Sequence, residues 1–410
     1  MSSQNSIRRL GGQKFTILMF NMSYWHNWQN GIKNRNYFVL QELLKRSEVN
    51  QIIAVDYLPM TRRKKVLSIM YYVLGIKYQV LGNHKNKLTI YTALSVKNVI
   101  SNLKKILNTL YLIPNTKIIL WSYFPLYIDY FDQIPADLKI FDAVDDWSKH
   151  PSYKNQRQLL QNNYRQIAKK ADIIFTVSEN LRQSLFKGQK NVYWIANGTD
   201  LKFQNPNLKS MSKSKCQKRK VMIGYVGVIQ SRVDFKLVQF LAESHQDKEF
   251  VFVGPVWKDA EIKKVRGLKN IKFVGQISYD DLPKYLSKFD IGIIPHKIND
   301  FTRSMDPMKS YEYLAFGLPV VSTQKLTNDD QLLYFADNPT DFSQAISRAL
   351  KENSQELIDR RQKFAQENSW ERRVEEMMKI ISNVKCQINV KIQNPKNNLA
   401  FDIWNLTFGI

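Results

Sequence analysis

Cysteine is nearly absent from this chain of 410 residues: Cys216 and Cys386 are the two it has. Two thiols so placed build neither a disulfide framework nor a thiolate metal site, so a reducing compartment is expected. Histidine is scarce too, with five residues, and none stands with carboxylates at metal-ligand spacing, so no metal site is predicted. No apolar run reaches the roughly 18 to 20 residues that span a bilayer; the best, Val66–Ile76, is too short. The N-terminus carries no secretion signal, which makes the cytoplasm the expected location. Acidic residues are in deficit: 36 Asp plus Glu stand against 61 Lys plus Arg, a formal charge of +25. An excess of this size attracts anionic partners over long range. No helix-turn-helix, zinc-finger, RNP or KH pattern is present, so nucleic acid is not the expected partner. The expected partner is instead the anionic cytoplasmic face of a membrane, met through Arg62–Lys65, the apolar segment behind it and Lys213–Lys220. The alternative is an ordinary solvated surface, with Val66–Ile76 as a core helix.

The length accommodates two domains, each with its own core. A polar, Ser/Lys-rich linker over 203–220 divides an N-terminal domain (1–202) from a C-terminal domain (221–385), followed by a tail (386–410). The tail, with Phe401, Trp404 and Phe408, reads either as a return to the first domain or as a docking segment. In the first half, strands are predicted within Lys14–Trp25, Gln51–Tyr57, Thr116–Phe124, Leu138–Trp147, Ala171–Ser178 and Asn191–Asp200, and a helix over Asn34–Arg46. In the second, Glu249–Pro255, Asn270–Gln276 and Phe289–Asp300 read as strands and Ser278–Lys288 as a helix. Such alternation belongs to an α/β fold with parallel sheets covered on both faces. Ligands of these sheets sit outside the carboxyl ends of the strands, where Gly227 and the loops after Val253, Val274 and Ile294 fall.

One helix is suited to face an anion. Within Ser304–Thr323, Asp306 is a good N-cap, Pro307 fits the first helical position, and Gly317 with Pro319 stops the element, so the helix is predicted over Pro307–Phe316. Its free N–H groups and positive dipole end can receive a phosphate. Lys309 and Glu312, three apart on one face, suit a diphosphate and its ribose; the plainer alternative is a surface ion pair.

The motifs IGYVG, FVFVGP, IKFVGQISYDDLPKYLSKFDIGIIP and DPMKSYEYLAFGLPVVST, in that order, resemble the nucleotide-sugar-dependent glycosyltransferases of the two-Rossmann-domain (GT-B) fold. Within these the likeness is to the group 1 branch and its teichuronic-acid and polysaccharide-biosynthesis relatives. FDAVDDW, TVSENLRQSL and ANGTD resemble the acceptor-side domain of the same enzymes. The resemblance implies two Rossmann-like domains facing each other across a cleft. It implies a UDP- or GDP-linked sugar held mainly by the C-terminal half, a saccharide or lipid-linked acceptor held mainly by the N-terminal half, and neither cofactor nor metal. Glu312 matches the second glutamate of the group 1 E-x7-E pattern, which binds the ribose; the first falls on Ser304, and the choice between retention and inversion stays open.

For the diphosphate grip the candidates are Gly227, Arg232, Lys309 and the N–H groups of Met308 and Lys309; the plainer readings are a turn glycine and a helix-start charge. His296, at a strand end, touches the donor or is a loop histidine. Asp145 is the first candidate for a base across the cleft, and Asp146 the second, unless it only caps the following helix. Tyr24, Trp25 and His26, after the first strand, contact the acceptor or pack beneath their loop. A nucleotide-sugar 2-epimerase and a catalytically silent binding protein of the same fold are the alternatives. If the charge excess serves membrane binding, co-flotation with vesicles containing phosphatidylserine is expected to fall steadily as salt rises; retention that ignores salt would contradict this.

Overall fold

The computed structural model describes residues 14–56, 87–91, 116–204, 219–325, 329 and 331–393. Arg62–Lys65, Val66–Ile76, most of the linker and the tail aromatics lie outside the described residues. Among the described residues no helix is long and apolar enough to cross a membrane.

Seven parallel strands form the first sheet: β1 (Lys14–Phe20), β2 (Val49–Val55), β3 (Leu88–Tyr91), β4 (Thr116–Ser122), β5 (Leu138–Ala143), β6 (Ile173–Thr176) and β7 (Val192–Trp194). Their spatial order is β3-β2-β1-β4-β5-β6-β7. Six more form the second: β8 (Met222–Val226), β9 (Glu249–Val253), β10 (Ile271–Gly275), β11 (Ile291–Ile294), β12 (Val320–Ser322) and β13 (Tyr334–Phe335), in the order β10-β9-β8-β11-β12-β13. Near-continuous apolar runs such as Phe15–Phe20 are buried throughout, as strands covered on both faces require. Each order reverses at its first strand, and the crevices there, between β1 and β4 and between β8 and β11, are where such sheets take ligands.

Capping sets several helix starts. The Asn34 side chain accepts from Tyr37 N–H at 3.2 Å and opens the Arg35–Lys45 helix; Ser178 opens Glu179–Phe186 in the same way at 3.1 Å. Two predicted elements differ. The first strand ends at Phe20, and Trp25–Gln29 forms a short helix because Trp25 and Trp28 both turn into the core. The helix predicted from Ser278 divides into a 3-10 turn, Tyr279–Asp281, and the helix Leu282–Leu286, with Pro283 in its first turn.

The chain crosses between domains twice, and the crossings are bonded to each other. Residues 197–200 lead out of the first domain, and Asn368–Arg373 lead back to it. Thr199 N–H donates to Asn368 O at 3.1 Å, Trp370 N–H to Thr199 O at 3.1 Å, and Arg373 Nε to Asn197 O at 3.2 Å. The returning Trp370–Gln393 helix packs on Arg35–Lys45, with the Trp370 and Phe38 rings stacked at 5.2 Å and 2°. Phe38 also meets Tyr279 of the second domain at 5.4 Å, so one hydrophobic cluster runs from the first sheet into the second domain. Gly31, at φ +87°, lies where a Cβ would stand 2.8 Å from Ile277 O, so a side chain there would push the domains apart. Trp370→Ala is expected to lower unfolding free energy by about 3 to 5 kcal/mol in urea titrations.

Candidate active site

The helix predicted over Pro307–Phe316 spans Met308–Ala315. Asp306 is not its cap. Tyr311 OH donates to both Asp306 oxygens (3.0 and 3.2 Å), and Asn197 N–H donates to Oδ2 at 2.5 Å. Asn197 Nδ2 in turn donates to Asp306 O at 2.6 Å. The carboxylate is thus taken by the interdomain crossing, and no side chain caps the helix. Burial pushes Asp306 up to about 6 against the Asn197 and Tyr311 bonds.

Lys309 lies in the first turn, over Gly227. That glycine has φ +114°, and a Cβ on it would sit 3.3 Å from Lys309 Cε. Lys309 Nζ donates to Tyr225 OH at 3.2 Å and stands 4.6 Å above the Tyr225 ring. Burial and then the neighbouring Arg232 pull Lys309 down to about 7. Arg232 precedes the Phe235–Ser244 helix, whose cap is Asp234, and lies with Nη1 3.9 Å from Met305 Sδ. His296 is 1% exposed; burial, Lys309 and Arg232 hold it well below its usual range, hence neutral. Its Nε2 is 3.4 Å from Tyr225 OH, so it reaches the site through that tyrosine.

Glu312, one turn further on, is 6% exposed and accepts from Tyr279 OH at 2.9 Å. Burial raises its pKa, while Tyr279 and Lys309 oppose the shift. A surface ion pair with Lys309 is therefore excluded: each group is turned to a tyrosine. Ser304 is wholly buried, its Oγ donating to Phe301 O at 2.9 Å and its carbonyl accepting from Ser178 Oγ of the first domain at 2.6 Å.

On the opposite side, Asp145 follows the carboxyl end of β5 and is half-buried. Burial pushes it up to about 7, with Arg232 across the cleft opposing and Asp146 adding. Asp146 itself is buried and closes a turn, accepting from Ser148 N–H (3.1 Å) and Oγ (2.6 Å) and pairing with Lys149 at 3.3 Å. It does not cap a helix; the following 3-10 helix is capped by His150. Of the three residues after β1, Tyr24 is half-buried, its hydroxyl pushed up to about 12 by burial and Asp56, and His26 is exposed. Trp25 is turned away into the core, 5.4 Å edge-on to Trp28, and offers no stacking face to an acceptor.

Gly227, Arg232, His296, Met308, Lys309 and Glu312 are thus gathered at the carboxyl ends of β8 and β11, with Asp145 facing them. Residues 220–352 match the family model of group 1 glycosyl transferases. The chain has the GT-B fold, and its second domain carries the match to group 1 glycosyl transferases. A Bacillus subtilis protein assigned to teichuronic acid biosynthesis as the glycosyltransferase TuaH is 27% identical over 280 residues, 63% of this chain and 70% of its own. In fold, sucrose-phosphate synthase of Thermosynechococcus elongatus superposes over 92% of this chain and 100% of its own, with TM-score 0.67 at 15% identity. Anabaena HepE, solved with UDP and glucose, covers 89% of this chain and 99% of its own, with TM-score 0.59 and 13% identity.

Nothing in the sequence assigns a role to the side chains of Tyr225, Tyr279 and Asn197. All three lie inside the motifs IGYVG, ISYDD and ANGTD, but nothing in their spacing showed which side chain they would hold. Gly227→Ala is expected to displace Lys309 and weaken UDP or GDP binding about tenfold, ~1.4 kcal/mol, in calorimetric titration. Gly267→Ala, where a Cβ meets nothing within 4 Å, should leave binding unchanged.

Proposed function

We propose that this glycosyltransferase moves a sugar from a UDP- or GDP-linked donor to a saccharide or lipid-linked acceptor in the synthesis of surface polysaccharide or glycolipid. The observation that carries the reading is the uncapped start of Met308–Ala315, flanked by Lys309 and Arg232, with Glu312 one turn along. Two cations and a helix start can stabilise the charge that develops on a departing diphosphate. This arrangement needs no metal ion. Glu312, already accepting from one hydroxyl, is suited to accept from ribose hydroxyls. TuaH, assigned to teichuronic acid biosynthesis, supports a polysaccharide product, and HepE with UDP and glucose supports a UDP-linked donor.

Asp145 then serves as the base for the acceptor hydroxyl, since its pKa near neutrality suits proton transfer at working pH. Because Ser304 stands where the pattern has a glutamate and is buried in a domain contact, it supplies no carboxylate at the donor sugar. This favours a base on the opposite domain. The positive charge supports a peripheral position on the cytoplasmic face of a membrane.

Glu312→Ala is expected to weaken UDP or GDP binding by about 1.5 to 3 kcal/mol in titration calorimetry; unchanged affinity would place the nucleotide elsewhere. For turnover, Asp145 has to lose its proton and Lys309 has to keep its own, and both lie at about 7 in the free enzyme. Below that pH the base is protonated, and above it the cation is neutralised. The kcat/KM profile is therefore expected to be a narrow bell near neutrality, with transfer lost but nucleotide binding kept in Asp145→Asn.

A further inference from the structure

The segment after Asp145 carries aromatic residues that the donor chemistry does not use. Trp147 lies 5.7 Å from Tyr153 and 5.5 Å from His150, and His150 lies 5.6 Å from Tyr153. Phe124, buried, backs the group edge-on to Trp147 at 5.2 Å. Trp147, His150 and Tyr153 are each half-buried.

The group is held in place. Tyr164 OH donates to Asp145 O at 2.9 Å and accepts from Trp147 N–H at 3.2 Å, which fixes the backbone between the base and the indole. His150 Nδ1 accepts from Ser152 N–H at 3.1 Å. Burial, then Arg232, brings this imidazole down to about 4, so at neutral pH its proton is on Nε2, a donor. The Trp147 indole N–H is buried without a partner. From the other domain, Phe301 packs edge-on against His150 at 4.7 Å, so the group is completed across the cleft. Arg232 acts on both Asp145 and His150, which sets the group beside the diphosphate grip.

A saccharide ring presents an apolar C–H face and a rim of hydroxyls. It matches an aromatic wall with a fixed N–H donor better than a bare acyl chain does, since an acyl chain would leave that donor unpaired. We infer that Trp147, His150 and Tyr153 form a subsite for one pyranose ring of the acceptor, stacked on the aromatic wall and oriented by a hydrogen bond from His150 Nε2. The subsite rests on the transfer reading above and narrows it: the unit next to the reacting hydroxyl is a sugar, and a lipid, where there is one, lies further out.

Saturation-transfer NMR on the full chain with saturating UDP, using methyl β-glycosides of glucose, N-acetylglucosamine and glucuronic acid as probes, tests this. At least one glycoside is expected to receive saturation on its ring C–H protons. The signal should fall more than fivefold in both Trp147→Ala and His150→Ala, recover in part in Trp147→Phe, and persist in Trp257→Ala, which alters an exposed tryptophan outside the group. UDP affinity by calorimetry should be unchanged in all four variants. No binding of any glycoside to the unaltered protein, or binding that survives both His150→Ala and Trp147→Ala, would overturn the subsite. Failure of UDP to bind the unaltered protein would instead remove the donor reading, so the two failures are told apart.

Discussion

Much of this architecture depends on one buried ion pair. Arg35, at the start of its helix, places Nε 2.9 Å from Asp142 Oδ1 inside β5, and both side chains are almost completely shielded from water. The same guanidinium donates to Ala196 O at 3.1 Å and Asn197 Oδ1 at 3.3 Å. Asn197 then holds Asp306, and Arg373 on the returning crossing holds Asn197 O. A buried pair of this kind is weak evidence for stability, since desolvation offsets most of the attraction. Its effect is geometric: it ties the first sheet, both crossings and the start of Met308–Ala315 into one bonded path.

That path explains why the helix start is free. A carboxylate directly before a helix ordinarily satisfies the first N–H groups. Here the crossing claims the Asp306 carboxylate with the Asn197 main-chain N–H, and Tyr311 takes what remains. The site beyond is under electrostatic tension in both senses. Low polarity pulls Lys309 towards neutrality and pushes Asp145 towards protonation, and Arg232 opposes the second shift while reinforcing the first. An anion between Lys309 and Arg232 reverses the pressure on Lys309, so ligand binding and protonation are linked.

Several elements were legible from local pattern. Apolar runs marked most of the strands, and the amphipathic pattern of Asn34–Arg46 marked a helix that the structure shows over Arg35–Lys45, capped by Asn34. Other readings failed where a distant partner intervened. Asp306 has the right residue type and position for a cap, yet its bonds go to Asn197, more than a hundred residues away in sequence. Ser23–Trp28 reads as a loop after the first strand, yet Trp25 and Trp28 are buried on the short helix Trp25–Gln29. Asp142 offered a usable signal: a charge inside an apolar strand requires a buried counter-charge, although its spacing could not say that Arg35 would supply it.

By itself, then, the sequence determined the alternation of strands and helices, the parallel sheets and the surplus of positive charge, because these follow from near-neighbour geometry and composition. The tertiary structure decided which groups face one another: Asp145 towards Arg232, Glu312 towards Tyr279, Trp25 inward, and the aromatic wall against Phe301. Those outcomes depend on desolvation and on contacts across the two crossings, which arise only when remote segments are brought within a few ångströms.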